Sequence, residues 1–175
     1  AEICNGLDDD CDGASEAPGC VGCQPGTGSC NGQVGTWCQD DGLGFVTEVC
    51  DSVQNTTCNA QTGKCDGACG LSALGSSYIG CDYYPTVTAN LVDPALHFAV
   101  AVSNTSATTA SITVTQGASS IATATVAPGS VQVITLPWQL ALKGPSSGSV
   151  VPFPLSVKVT QGAYRLRSDQ PVTVY

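Results

Sequence analysis

The sequence has no methionine and a single histidine, His97, and only 11% of its 175 residues are charged. This composition suits a protein that works outside the cytoplasm. No apolar run approaches the roughly 20 residues that a membrane-spanning helix needs, so we expect no membrane insertion. A Ser-His-Asp arrangement would have to use His97, and its surroundings in ALHFAVAV are those of a half-buried strand residue. We therefore predict that the chain is not an enzyme.

Cysteine, in contrast, is abundant: the chain has eleven, all at or before Cys81. This number predicts a disulfide framework and an oxidising location, extracellular or on the outer cell surface. The odd count leaves one cysteine free or bonded outside the chain, with Cys20 as the candidate. Zinc is the alternative, because Cys20-x-x-Cys23 and Cys65-x-x-x-Cys69 have ligand spacing, but five other cysteines after Cys11 would then be unexplained.

Negative charge is concentrated in the first part of the chain. Residues 1–70 hold eleven acids and one base, which gives −10, whereas residues 71–175 hold three acids and four bases, which gives +1. The net charge of −9 argues against a nucleic-acid partner. The changes in charge and in cysteine content along the chain predict an acidic loop at 1–19, a cysteine-rich module at 20–70 and a β domain at 71–175. Disulfides must hold the module, because only Trp37 and Phe45 are expected to form its small core.

The β domain is predicted from short segments rich in Val, Ile, Thr and Ala, separated by Gly, Pro, Asn or Ser. They are TVTANL, HFAVAVSN, ASITVTQ, IATATVA, VQVITL, PLSVKVTQ, AYRLRS and PVTVY. Their period of two predicts antiparallel strands, and we expect roughly seven to nine of them in a β-sandwich. The fold class is therefore mainly β, with a small disulfide-rich module before the sandwich. VTQGA occurs twice, at 114–118 and 159–163, and each copy is predicted to end a strand in a turn.

The sequence starts without a methionine or a leader and stops inside PVTVY. We expect that a leader has been removed or that the chain belongs to a longer protein. At the other end, either the domain continues past Tyr175 or a neighbouring chain completes the last strand. A strand with an unpaired edge can pair with a strand from another chain, including a second copy of this protein in a surface fibre. The predicted interaction edge is Pro171, Val172, Thr173, Val174 and Tyr175. Tyr78, Tyr83 and Tyr84, near the start of the domain, are predicted to pack in its core, and the alternative is a patch that contacts carbohydrate or protein.

The stretch CNGLDDDCDG near the N-terminus predicts a metal site. Asp8, Asp10 and Asp12 alternate and are followed by Gly13, which matches positions 1, 3, 5 and 6 of a calcium-binding loop. Position 12, usually a bidentate glutamate, is Gly19 here, so another oxygen or water must replace it. The alternative is a solvated acidic turn, although mutual repulsion would destabilise so dense a cluster. The predicted ligands are Asp8, Asp10, Asp12, the carbonyl of Ala14, Glu16 and the side chain of Asn5, with calcium as the ion.

Two disulfides are predicted at the ends of the cysteine-rich part. A Cys4–Cys11 bond would close the acidic loop and hold its carboxylates in place before the ion binds. A Cys69–Cys81 bond would fix the module against the β domain. Spacing does not determine the connectivity of the remaining cysteines.

The acidic stretch resembles the repeated motif C-N-G-x-D-D-D-C-D-G-x-x-D-E of secreted proteins from myxobacteria and related bacteria. Ser15-Glu16 stands where that motif has D-E. The motif is described as metal-binding, and its family is tied to a surface protein that binds copper. Copper(I) prefers thiolate, thioether or imidazole ligands, whereas this chain has no methionine and is expected to oxidise its cysteines. Calcium is therefore the predicted ion and copper is not.

The cysteine-rich stretch from CQPGTGSC to CNAQTGKC resembles small modules between domains of myxobacterial surface proteins. SSYIGCDYYPTVTANLVD, FAVAVSNTS and AYRLRSDQPVTVY resemble the bacterial members of the family named after the N-terminal region of IgG Fc-binding proteins. This resemblance covers about residues 76–175 and implies a large, modular, secreted protein without a catalytic set. The predicted function is a calcium-stabilised, non-enzymatic structural or adhesive protein that contacts a protein or cell-surface partner. The alternatives are a copper-sequestering protein and a non-catalytic part of a secreted enzyme.

Overall fold

The computed structural model describes residues 11, 13, 22–75, 77–146, 152 and 156–175. Its contacts divide the chain into two compact units, Ala1–Ala73 and Leu74–Tyr175. Antiparallel sheets dominate both units, as the predicted fold class requires. Across the described ranges, no helix is long and apolar enough to cross a membrane.

The first unit contains two small antiparallel sheets. Strands β1 (Gly28–Asn31), β2 (Val34–Cys38) and β3 (Phe45–Val49) form a meander, and a 3₁₀ turn follows at Ser52–Gln54. Strands β4 (Thr57–Cys58) and β5 (Cys65–Asp66) form the second sheet, and helix α1 (Leu71–Leu74) stands at the unit boundary. The β4–β5 turn lies against the meander so closely that a Cβ on Gly63, whose φ is 69°, would collide with the carbonyl of Thr36. Glycine is required there for both reasons.

Disulfides replace an apolar core in this unit. The bonds are Cys23–Cys38, Cys30–Cys58 and Cys50–Cys65, and Cys69 and Cys81 are each disulfide-bonded as well. The buried hydrophobic side chains in the described part of the unit are all cysteines: Cys38, Cys50, Cys65 and Cys69. Phe45 is 55% exposed and Trp37 is half-buried, so the small aromatic core predicted for the module is wrong for Phe45. In the described part of this unit, cysteines rather than aromatic residues are therefore the buried hydrophobic side chains.

Cys11 carries a free, exposed thiol, so the predicted Cys4–Cys11 disulfide is wrong. The residue has a left-handed backbone, with φ of 59°, and its side chain faces solvent. Proximity in sequence was the only ground for that pairing, and it does not select a partner. Cys4 and Cys20 lie outside the described residues, and the Cys69–Cys81 pairing stays a prediction.

The second unit contains a single antiparallel sheet of six strands. They are β6 (Gly80–Tyr83), β7 (Phe98–Asn104), β8 (Ala110–Gln116), β9 (Ser119–Val126), β10 (Val131–Leu136) and β11 (Arg165–Val174), with helix α2 (Leu140–Lys143) after β10. The hydrogen-bonded order is β10-β7-β11-β8-β9, and β6 also pairs with β11. Alternate residues of β7, β8 and β11 point into one shared core, which includes Val102, Ile112, Val114, Leu166 and Val172. Polar and apolar alternation thus selects the buried face of each strand.

Four predicted strand segments differ from the prediction. TVTANL is not a strand: the side chain of Asn90 accepts from the Val92 amide and donates to the Thr88 carbonyl, and such local bonds compete with strand pairing. Residues 156–159 of PLSVKVTQ are also unpaired, and 154 and 155 lie outside the described residues. AYRLRS and PVTVY merge into the single strand β11. The described part of the β domain therefore has six strands in one sheet, fewer than predicted.

The predicted open edge at the C-terminus is wrong. This part of β11 lies inside the sheet, because Val172 pairs with Asn104 on one side and Gly80 on the other. The amide and carbonyl of Tyr175 each bond to the backbone of Ala101, at 3.0 and 2.9 Å. The residues predicted as an interaction edge, and now placed within the domain, are Pro171, Val172, Thr173, Val174 and Tyr175. Val172 therefore has a strand on each side, and Thr173, Val174 and Tyr175 pair with β7 on one side.

Asn104 ties the turn after β7 to the end of β9. Its side chain is fully buried, and its Nδ2 atom donates to the carbonyls of Thr108 and Val126, both at 2.8 Å. Its Oδ1 atom accepts from the amide and the hydroxyl of Ser106, at 2.9 and 2.7 Å. All the hydrogen-bonding capacity of this amide is therefore used inside the fold. Asn104-Thr105-Ser106 is also a formal glycosylation sequon, but its acceptor atom is buried.

Loss of the Cys30–Cys58 bond should destabilise the first unit, because it closes the longest of the three loops, with a sequence separation of 28. We expect Cys30→Ser/Cys58→Ser to lower the free energy of unfolding by about 3 kcal/mol. Cys11→Ser is the control and should change it by less than about 0.5 kcal/mol. Urea unfolding followed by Trp37 fluorescence, in a Trp138→Phe background, measures this unit. Equal midpoints for the two variants would contradict the prediction.

Asn104→Ala should destabilise the β domain by about 2–3 kcal/mol, because two carbonyls near the core lose their donor. Asn90→Ala removes a similar set of bonds from an exposed loop and should cost less than about 1 kcal/mol. Urea unfolding followed by Trp138 fluorescence, in a Trp37→Phe background, compares the two variants. A cost for Asn104→Ala no larger than that for Asn90→Ala would refute the structural role of this side chain.

Candidate functional site

The residues predicted to bind calcium lie outside the described residues. They are Asn5, Asp8, Asp10, Asp12, Ala14 and Glu16. In the ranges that the structure does describe, no group of three or more His, Cys, Asp or Glu side chains could hold a metal ion. His97 is exposed and precedes β7, so it is not the half-buried strand residue that the sequence predicted.

A groove of about 620 Å³ lies on the outer face of β8 and β11. We call it the arginine groove. Its principal lining residues are Tyr84, Thr115, Gly117, Gln161, Arg165 and Arg167. Small side chains, among them Ala118 and Ala163, line the rest. The groove lies wholly within the second unit.

Strand alternation places both arginines in this groove. Leu166 and Ser168 are fully buried on the core side of β11, so Arg165 and Arg167 point to the opposite face. On the neighbouring strand β8, Thr115 stands opposite Arg165. Two guanidinium groups and a hydroxyl therefore share one side of the sheet. The pattern Arg-Leu-Arg in a predicted strand indicates that both arginines lie on one face, but Arg165 and Arg167 were not predicted as a site.

The two VTQGA copies form a wall of the groove together. Gly117 of the first copy has a φ of 56°, and a Cβ there would collide with the side-chain oxygen of Gln161 in the second copy. Gln116 Nε2 also donates to the carbonyl of Gly162 at 3.4 Å. The first copy ends β8 in a turn, as predicted, whereas the second copy follows unpaired chain. The repeat thus corresponds to two loops that contact each other.

An ion pair fixes one of the two arginines. Arg165 Nε donates to Asp82 Oδ1 at 3.0 Å and Arg165 Nη2 donates to Asp82 Oδ2 at 2.8 Å. Asp82 lies on β6, which pairs with β11. Both side chains are partly exposed, at 41% and 29%, so the pair orients the guanidinium more than it stabilises the fold. Arg165, Arg167 and Asp82 together carry a formal charge of +1 in a chain of net charge −9.

Exposed tyrosines adjoin the groove. Tyr84 is 62% exposed and also lines a second cavity of about 230 Å³, together with Tyr83, Pro85 and Tyr175. Tyr78 is 77% exposed, so the prediction that these tyrosines pack in the core is wrong for Tyr78 and Tyr84. Tyr83 alone of the three is half-buried, and its hydroxyl donates to the carbonyl of Val172. Tyr84 therefore connects two adjacent depressions on one surface.

The first unit has a smaller cavity of about 270 Å³, lined by Trp37, Glu48, Lys64, Cys65 and Leu71. The ammonium group of Lys64 lies 5.8 Å from the centre of the Trp37 ring. This cation–π contact covers one face of the tryptophan. The cavity holds fewer polar side chains than the arginine groove, and we treat it as part of the packing of the unit.

We compared the chain with protein-family models, with curated proteins and with solved structures, and none of these comparisons found a match. The two family resemblances described above therefore stay predictions.

Burial raises the pKa of Tyr164 and of Tyr83 above the ordinary tyrosine value. Tyr164 is fully buried, and its hydroxyl donates to the carbonyl of Pro137 at 2.6 Å. Because the folded state holds these protons more tightly than the unfolded state, their contribution to stability is complete below about pH 10 and is lost as the pH rises through the folded-state pKa.

We expect the free energy of unfolding of the β domain to fall above about pH 10, and Tyr83→Phe/Tyr164→Phe to flatten this decline. Urea unfolding at closely spaced pH values measures the slope, and a Cys11→Ser background prevents disulfide exchange by the free thiol. Identical slopes with and without the two hydroxyls would show that other groups control the alkaline transition.

Proposed function

We propose that this chain is a non-enzymatic extracellular protein with a structural or adhesive role. In this proposal the acidic loop binds calcium, the first unit is a disulfide-held spacer, and the sandwich presents the surface that contacts a partner. The observation that carries the proposal is the oxidation of all eight cysteines from Cys23 to Cys81. Disulfides in such density persist in oxidising compartments and are reduced in the cytoplasm.

The structure of the first unit supports an extracellular location on physical grounds. Four cysteines are its buried hydrophobic residues within the described range, so the unit has little apolar area to stabilise it without those bonds. A reducing compartment would remove its main source of stability. The second unit has its own apolar core of aliphatic residues from β7 to β11 and does not share this dependence.

Calcium is the ion of choice for the acidic loop because its predicted ligands are all oxygen atoms. Ion binding would neutralise the aspartates between Asp8 and Asp12 and order the chain before the first sheet. The contact surface for a partner would be the β domain, where the arginine groove and the exposed tyrosines lie together.

Copper sequestration is a second candidate, and one observation favours it. The thiol of Cys11, which stands within the acidic motif, is free and exposed. A thiolate is a good copper(I) ligand, but copper(I) sites combine it with further thiolate, thioether or imidazole groups. The chain has no methionine, and His97 is far from Cys11 in the sequence. Calcium therefore remains the first candidate.

Calcium at 10 mM should raise the melting temperature of the first unit by several degrees over the same protein in a chelator. Asp8→Asn/Asp10→Asn/Asp12→Asn should abolish the shift. Asp40→Asn/Asp41→Asn, at an exposed turn outside the motif, is the control and should keep it. Calorimetry of the three proteins measures the shift.

Copper(I) under anaerobic conditions separates the two candidates. On the calcium proposal it leaves the melting temperature unchanged. A shift that copper(I) produces, that calcium does not, and that Cys11→Ser removes would replace the calcium proposal with copper sequestration.

A further inference from the structure

We propose that the arginine groove binds an acidic polysaccharide, with the anionic group of one sugar on Arg165 and Arg167 and the ring of that sugar or its neighbour on Tyr84. This inference rests on the proposed adhesive function and specifies the chemistry that the β domain would recognise. Three properties of the groove support it: its charge, the fixed orientation of its cations, and the mixture of aromatic and polar groups along it.

Charge is the first argument. The chain has only five lysines and arginines, and two of them line this one groove. Arginine presents paired N–H donors that match carboxylate and sulfate oxygens, whereas the ammonium group of lysine acts as a point charge. The rest of the molecule repels a polyanion because its net charge is −9. An anionic ligand would therefore be selected at this site rather than attracted over the whole surface.

Orientation is the second argument. Asp82 holds Arg165 through two hydrogen bonds, and the pairing of β11 with β6 and β8 fixes the backbone beneath both arginines. Arg165 and Arg167 are half-buried, so their stems lose little further freedom when a ligand binds. A site that is ordered in advance binds a flexible polymer at a lower entropic cost.

The third argument is the composition of the groove. Tyr84 presents an exposed aromatic ring, which can stack on the C–H face of a pyranose, while Thr115 and Gln161 supply a hydroxyl and an amide for the sugar hydroxyls. The volume of about 620 Å³ is within the range of small-ligand sites. Tyr84 also lines the adjoining cavity with Tyr175, so the surface continues past a single sugar. Because the surface is continuous, a polymer would contact more of it than an isolated small anion.

An acidic peptide would bring the same charge but fits the groove less well. Peptides bind by adding a strand to a free edge or by inserting large side chains into apolar pockets. The strands under the groove, β8 and β11, already pair with each other, and the apolar part of the lining is mostly alanine and glycine. Neither mode of peptide recognition is available there.

Binding to immobilised polygalacturonate, dextran sulfate and uncharged dextran tests the proposal with the whole chain. We expect binding to at least one anionic polymer, carboxylated or sulfated, and none to dextran. Arg167→Gln should weaken the binding at least about tenfold, because it removes a charged hydrogen-bonding group. Tyr84→Ala, at an exposed position that folding does not require, should weaken it about as much. Lys158→Gln removes one positive charge just outside the lining and should change the affinity less than about twofold.

Several outcomes would overturn the proposal. They are no binding to either anionic polymer, equal binding to dextran, an equal loss in Lys158→Gln and Arg167→Gln, or tighter binding to polyglutamate than to both anionic polysaccharides. If Arg167→Gln fails to fold, Tyr84→Ala and Arg167→Lys carry the test, and full affinity in both would also overturn it. The calcium shift in melting temperature is independent of the groove. A failure here with that shift intact therefore leaves the proposed structural role standing.

Discussion

The backbone pairing of β11 is the constraint on which the β domain depends. Its first half pairs with β8, its second half pairs with β7, and β6 runs along its other side. One face of this strand buries Leu166 and Val172 in the core, while the other carries Arg165 and Arg167 into the groove. The same ten residues therefore hold the sheet together and carry the two arginines of the groove. A change of register by one residue would exchange these two faces.

The first unit depends on a different kind of force. Its described buried hydrophobic residues are cysteines, and disulfides act mainly by restricting the unfolded chain. The two units should thus respond to different conditions, the first to reductants and the second to loss of apolar packing. The second unit can therefore stay folded under conditions that reduce the disulfides of the first.

Patterns with a local cause were predictable from the sequence. The period of two identified β8 and β10 to the residue, and cysteine content identified the disulfide unit. Other features depend on contacts between distant residues and were missed. The end of β11 looked open because its partner Ala101 is more than seventy residues away in the sequence, and Cys11 looked paired because Cys4 is near it. The arginine groove needs two loops with the same pentapeptide to meet, which no local pattern reveals.

The burial of Asn104 has a consequence for the cell that makes this protein. Sequons receive their glycan while the nascent chain is still unfolded, before any side chain is buried. A sugar on Asn104 Nδ2 would occupy the atom that donates to two carbonyls inside the domain, and the domain could not fold around it. Recombinant production in a secretory pathway that modifies such triplets would therefore need a substitution at Ser106 that keeps the turn.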